Sequence, residues 1–375
     1  MAFESSASNL VGGDTNGSFD VFGRDRRTGK TRRLSVSSGG RQPNGGSHLP
    51  TLSAHARFIA FWSDASNLVR GDTNHRSDVF VHDRRTGRTR RVSARSSGGQ
   101  GNGDSVEPFM SAGGRFVSFQ SSASNLVHGD SNGARDVFVH DLRRGKTSRV
   151  SVSSFGRQGS SDSYDPVISP HGRRLAFTSD APNLVRSDTN GASDVFLHDQ
   201  KTGRTRRVSV GSSGGQGNGA SLEAELSPRG GIVAFTSLAS NLVRRDTNGM
   251  SDLFVRNRRT RRTKRVSVSS SGAQANGLSR RSGPTVGRFV AFHSLASNLA
   301  GADTNGTFDV FVRDRGTGRT RRVSVGGAGQ LSNGLSGAPR LSADGRFAAF
   351  GSLASNLVAG DTNASRDVFV RGPLR

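Results

Sequence analysis

The chain has 375 residues, 31% of them hydrophobic, with 50 glycines and a formal net charge of +24. That length exceeds what one compact core usually serves, leaving either several domains or a repeated unit. Cysteine is absent, which removes disulfides and thiolate metal sites, and no apolar run reaches the roughly eighteen residues of a membrane-spanning helix.

The first ten residues, MAFESSASNL, have neither the basic start nor the apolar core of a signal peptide and read as the middle of a repeat. The repeat is marked by the Asn of SNL or PNL at Asn9, Asn67, Asn125, Asn183, Asn241, Asn298 and Asn356, spaced 58 residues apart except for one step of 57. A fixed period of that size points to a solenoid or propeller. Four short strands are expected in each period. The first is PFMS-like (108–111, 166–169), the second RFVAF-like (115–119, 288–292), the third DVFV-like (78–81) and the fourth TRRVSV-like (205–210).

The second and third strands are almost continuously apolar, as in sheets covered on both faces. The fourth alternates arginine with valine and serine, which suits an outer edge where charge discourages aggregation. These features predict an all-β protein, a β-propeller of four-stranded antiparallel blades forming one domain over residues 1–375. Seven blades, the first and last incomplete, are the expected count and six the alternative.

The repeat resembles that of the TolB-like β-propellers. The residues that carry the likeness are SPHGRRLAF at 169–177, DVFLHD at 194–199, Gly203, and Arg207, Val208 and Ser209. The resemblance covers essentially the whole chain and implies a propeller. Two features depart from it: only SADG at 342–345 keeps the hairpin aspartate, and the segment between strands two and three is unusually long.

Two segments hold the extra length, ASNLVxGDTNGxx between strands two and three and SSxGxQxNGxS between strand four and the next blade. In a propeller both emerge on one face, so one polar, partly acidic face is expected opposite a basic rim. The first segment carries Asp-x-Asn-x-x-x-Asp in all seven copies: Asp14, Asn16 and Asp20; Asp72, Asn74 and Asp78; Asp130, Asn132 and Asp136; Asp188, Asn190 and Asp194; Asp246, Asn248 and Asp252; Asp303, Asn305 and Asp309; Asp361, Asn363 and Asp367. Oxygen side chains at alternating positions of a glycine-containing turn can ligate Ca²⁺, and weak binding at several such sites is the metal expectation. The loop is nevertheless short of the 6–8 oxygens that calcium takes. The favoured alternative is a structural turn in which Asp and Asn bond their own backbone, in which case Asp72→Ala costs about 1 kcal/mol or less.

His82, His140 and His198 share a repeat position with Arg24, Arg256 and Arg313, so a catalytic role is not expected and they read as solvated strand ends. Gly211-Ser212-Ser213-Gly214-Gly215 matches the nucleophile-elbow pattern without its following helix, a chance match. The aromatics are nearly all Phe, with Trp62 and Tyr164 besides, so no stacking platform for single strands is visible. The breaks in the repeat, SYDP at 163–166, RRSGPTVG at 280–287 and a one-residue shift near Gln330, gather no acid, base and nucleophile together.

No catalytic residue and no required cofactor emerge from this reading. The expected function is a monomeric, non-catalytic binding or scaffold propeller that engages a protein or glycan through its loop-rich face. A hydrolase or lyase acting at the central channel is the alternative. Nucleic-acid binding by the arginine rim is disfavoured, since a GC-rich coding sequence yields such arginine without selection for a ligand. The fourth strand occurs six times and the third seven. A truncated reading of a longer protein, whose missing segment carries the absent strands and an export signal, is the expectation that follows.

Overall fold

The computed structural model describes residues 1–227, 230–281, 287–342 and 344–374. Among these the regular structure is entirely β, with 26 strands in seven sheets whose neighbours are consecutive in sequence. Sheet one holds β1 (Ala2–Ser5), β2 (Asp20–Arg24) and β3 (Thr31–Arg33), and sheet two holds β4 (Ser47–Leu52), β5 (Phe58–Ser63), β6 (Asp78–Asp83) and β7 (Arg88–Arg91). Sheet three is β8 (Ser105–Met110), β9 (Phe116–Ser121), β10 (Asp136–Asp141) and β11 (Lys146–Arg149). Sheet four is β12 (Ser163–Ile168), β13 (Arg174–Ser179), β14 (Asp194–Asp199) and β15 (Arg204–Arg207). Sheet five is β16 (Ser221–Leu226), β17 (Ile232–Ser237), β18 (Asp252–Asn257) and β19 (Thr263–Arg265). Sheet six is β20 (Ser279–Arg281), β21 (Phe289–Ser294), β22 (Asp309–Asp314) and β23 (Arg319–Arg322), and sheet seven is β24 (Ser336–Leu341), β25 (Ala348–Ser352) and β26 (Asp367–Arg371).

These are the antiparallel blades of a β-propeller, seven in number, and the six-blade alternative falls. Sheets one and seven have three strands each, lacking the first and the fourth strand respectively. No helix among the described residues is long and apolar enough to cross a membrane. By its internal contacts the chain divides into two units, Met1–Ser187 with Leu197–Arg206 and Asp188–Phe196 with Arg207–Arg375.

In the first unit the core lies between successive sheets, and strand periodicity puts it there. Along β6 all six residues are buried. Phe80 joins Val21, Ile59 and Phe61 on the side of sheet one, while Val79 and Val81 join Val117, Phe119 and Phe138 on the side of sheet three. Alternate residues of one strand thereby fill two interfaces, which is why the strand reads as continuously apolar. Paired phenylalanines cross each sheet, Phe61 with Phe80 at 6.0 Å and Phe119 with Phe138 at 5.8 Å between ring centres. The second unit repeats the scheme, with Leu253 and Val255 packed among Val290, Phe292 and Phe311, and Phe292 stacked on Phe311 at 5.7 Å.

Several boundaries differ from the sequence reading. The first strand starts earlier, at Ser105 in β8 and Ser163 in β12, because a bulge splits its pairing between Val106 and Phe109 and between Tyr164 and Val167. The fourth strand is shorter, β15 ending at Arg207, because the Val and Ser that follow bond β14 through a side chain and a bent main chain. Near Gln330 no shift occurs: Leu331 bridges Val325 as Gln274 bridges Val268, so the register is kept and the glutamine is displaced by one place. Most of the break at 280–287 lies outside the described residues.

Candidate functional site

Each of the first six Asp-x-Asn-x-x-x-Asp loops closes on an arginine from its own blade's fourth strand. In blade two Arg91 Nη1 lies 3.0 Å from Asp72 Oδ1 and 3.1 Å from Asp78 Oδ2. The equivalent pairs are Arg33 with Asp14 and Asp20 (3.2 and 3.1 Å) and Arg149 with Asp130 and Asp136 (3.2 and 3.1 Å). Arg207 holds Asp188 and Asp194 (3.1 and 2.8 Å), Arg265 holds Asp246 and Asp252 (3.0 and 3.1 Å), and Arg322 holds Asp303 and Asp309 (3.0 and 3.3 Å). These side chains are buried. A basic rim was expected here, yet the second arginine of TRRVS points inward because two carboxylates are waiting for it.

The second Asp of each of the first six loops is also the cap of the sheet. Ser93 Oγ donates to Asp78 Oδ1 and accepts from Val79 N (3.0 Å), while Val92 N donates to Val79 O (2.8 Å). The Ser hydroxyl thus replaces a main-chain ladder bond where β7 bends away. Burial pushes the carboxyls of Asp20, Asp78, Asp136, Asp252 and Asp309 above the usual aspartate range, and the serine hydroxyls and arginines pull them back.

The asparagine makes the turn expected of it. Asn74 Oδ1 accepts from Arg76 N (3.2 Å), and its Nδ2 donates to Asp78 Oδ2 and to Gly101 O, both at 3.0 Å. It therefore presents nitrogen, not oxygen, to the carboxylate. The groups that a Ca²⁺ ion would need are engaged by the chain's own guanidinium and amide, and the described residues contain no group of three or more His, Cys, Asp and Glu placed to hold a metal. The seventh loop differs. Asn363 Nδ2 donates to Asp367 (3.1 Å), and no arginine reaches Asp361 or Asp367 among the described residues.

The second elaborated segment staples blade to blade. Asn102 N donates to Asn125 Oδ1 and Asn102 Nδ2 to Ser124 Oγ, both at 3.0 Å, and Asn125 Nδ2 donates to Gln100 O (3.2 Å). Gln100 Nε2 in turn donates to Thr73 Oγ1 (2.9 Å) in the preceding blade's loop. Gly103 must be glycine because an added Cβ lies 2.8 Å from Ala123 N and from the Ser122 carbonyl carbon. Gln100, Gly101, Asn102 and Asn125 line a polar cleft of about 550 Å³ with Asn74, Arg76 and Arg95.

His82, His140 and His198 are buried at 7–8% exposure, correcting their reading as solvated. Each has its Nδ1 2.9 Å from a threonine Oγ1, of Thr89, Thr147 or Thr205. That oxygen donates to a carbonyl of the preceding blade, Val36, Ala94 or Val152, so the imidazole is the donor to it. Arg256 and Arg313 make the same bond to Thr263 and Thr320 at 2.8 Å. Histidine and arginine interchange here because both present an N–H. Burial lowers the pKa of all three imidazoles, that of His140 to about 4.

One chemical feature escaped the sequence reading. At the bulge in the first strand of blades two, three, four, five and seven the residue before Pro or Ala is left-handed: Leu49, Glu107, Asp165, Glu223 and Ala338, with φ of 48–55°. Such φ values in non-glycine residues store strain of order 1–3 kcal/mol. Burial and a hydrogen bond to Asp165 push the Glu107 carboxyl up to about 8, and Asp165 N donates to Gln120 Oε1 (2.9 Å). The signal was the acid recurring in SVEP, SYDP and SLEA. Gly211–Gly215 is only a loop turn, Gly211 N donating to Gly215 O (2.8 Å).

No protein family matches the chain, and no curated protein matches it. Solved structures do. An oligogalacturonate lyase in complex with manganese aligns with a TM-score of 0.57 at 12% identity, over 96% of this chain and 84% of that one. A prolyl endopeptidase aligns at 0.55 and 12%, over 95% of this chain and 47% of that one. TolB from Acinetobacter baumannii aligns at 0.46 and 15% over 80% of this chain, which spans 58% of that protein's length. At these identities the likeness to the lyase and the endopeptidase is one of fold alone.

Proposed function

We propose that the protein is a non-catalytic binding propeller that engages a protein or glycan through the loops joining strands two to three and strand four to the next blade. The observation that carries this is the allocation of polar groups. In the first six loops between strands two and three the repeated aspartates are turned inward and paired with arginine, whereas Arg76, Arg95 and the Asn and Gln amides face a polar cleft. Amide and guanidinium groups on a stapled frame bind with little ordering cost, and nothing in this cleft supplies an acid with a base. The test is retention of partners from an extract and binding to a panel of immobilised polysaccharides, with R76E/R95E as the control. Loss of binding in that variant at unchanged melting temperature is expected, and retention of all binding would reject the cleft.

A second reading rests on Glu107 and Asp165. A carboxyl that keeps its proton at neutral pH beside an acceptor can serve as a general acid, which favours the hydrolase or lyase alternative. Turnover of polysaccharide or peptide substrates that disappears in E107Q supports it; activity equal in E107Q discards it.

A further inference from the structure

The repeat departs from itself on the outer strand of blade three, and a cleft stands where it does. The turn and fourth strand of that blade read DLRRGKTSRV at 141–150. Arg144 stands where the other five copies have Thr28, Thr86, Thr202, Thr260 and Thr317, and Ser148 where they have Arg32, Arg90, Arg206, Lys264 and Arg321. One cation is thus removed from the strand and another placed on its turn.

The removal opens space against blade four. In the equivalent place between blades two and three, the Arg90 guanidinium lies near enough to buried His140 to join burial in lowering that imidazole's pKa. No arginine acts in this way on His198, the counterpart of His140. Instead a cleft of about 560 Å³ is lined by Arg144, Lys146, Ser148, His171, His198 and Lys201. The other charged groups around it are compensated: Arg173 Nε lies 3.0 Å from Asp199, Arg149 is shared by Asp130 and Asp136, and Arg115 Nη2 lies 2.6 Å from Asp141. Arg144, Lys146 and Lys201 are exposed and make no side-chain hydrogen bond or ion pair among the described residues.

We infer that this cleft binds a small molecule carrying a diphosphate group, held by Arg144 and Lys146 from blade three and Lys201 from blade four. Two phosphoryl groups at about −1.5 each near neutral pH balance the three uncompensated cations. A cleft of this volume suits a small molecule, and cations gathered between low-dielectric walls focus their field on it. No residue is shared with the cleft of Asn74 and Arg95, so this inference stands or falls without that one.

The test is calorimetric titration of the 375-residue protein with inorganic pyrophosphate in about 0.15 M salt, where charges more than about 8 Å apart are screened. Saturable one-to-one binding is expected. R144T, which restores the residue of the other five turns, and K201S should each weaken it by roughly fivefold or more, as the loss of one charge-assisted contact does, at unchanged melting temperature. R85S/R88S, which strips two exposed cations from blade two, should leave it unchanged. S148R adds a cation yet refills the space, and should abolish binding. No saturable heat, tighter binding by S148R, or equal weakening in R85S/R88S would overturn the proposal, because the interaction would then follow net charge. Adenosine diphosphate bound with the same response to R144T supports a nucleoside diphosphate as the source; pyrophosphate bound with the nucleotide excluded supports the free anion. Duplex DNA that binds at this salt and displaces pyrophosphate would assign the cations to a nucleic acid and overturn the small-molecule ligand.

Discussion

Asp78 is held by Arg91, Ser93 and Asn74 at once, and removing it strands a buried guanidinium. Breaking a buried pair from one side costs about 3–5 kcal/mol, so Asp78→Ala should lower stability by about that much in denaturant melts. Asp72→Ala, expected from its turn role to cost about 1 kcal/mol or less, should now cost about 3 kcal/mol, because Asp72 is buried against the same arginine. The sequence showed the two aspartates and the arginine; it did not show that they meet, since some twenty residues separate Arg91 from Asp72. Glu107 carries a pH signature of opposite sign to a salt-bridged acid. Its folded pKa of about 8 lies above the ordinary glutamate value, so the folded state holds the proton more tightly and the unfolded state ionises first. Stability from this group is full below about pH 4.5 and falls as pH rises towards 8. Melting temperatures measured from pH 5 to 8 should decline in the native protein and decline less in E107Q.

At the scale of strands, the second and third were legible because burial on both faces leaves an unbroken apolar run that no helix period competes with. The first and fourth were less so. A bulge makes the first strand longer than its apolar core, and a serine hydroxyl standing in for a ladder bond makes the fourth shorter than its valines suggest; neither device leaves a periodic trace. The exchange of His82 for Arg24 or Arg256 looked like solvent exposure and is a shared bond to a threonine. His82→Arg should therefore change stability by less than about 1 kcal/mol, while Thr89→Val, which leaves the Val36 carbonyl and the imidazole N–H unmet, should cost about 1–3 kcal/mol. Equal losses in the two variants would show that the threonine is not the common partner. Gly103→Ala should cost about 1–3 kcal/mol through overpacking against Ala123, a close approach that composition alone cannot reveal.

For the whole molecule, net charge is a poor guide to what the surface presents. Each latch withdraws two carboxylates and one guanidinium, so the outward charge is more basic than the formal +24. Nonspecific attraction to DNA should appear at low salt and vanish by physiological ionic strength; binding that survives there would revive a nucleic-acid role. Acid should weaken the fold through a different set, the rim pairs Arg57–Asp83, Arg115–Asp141 and Arg288–Asp314, in which hydrogen bonds from arginine hold each aspartate below the usual range. Their contribution is present above about pH 4 and is lost as pH falls. Titration with millimolar Ca²⁺ should give neither heat nor a melting shift from the six latched loops, and uptake at six sites would mean that the arginines can be displaced. Repeats stapled by a mineral ion depend on the ion supply around them and come apart under a chelator. Here the bridging cation is translated with the chain, in fixed stoichiometry, so the same blades should close in any ionic surroundings and ignore EDTA.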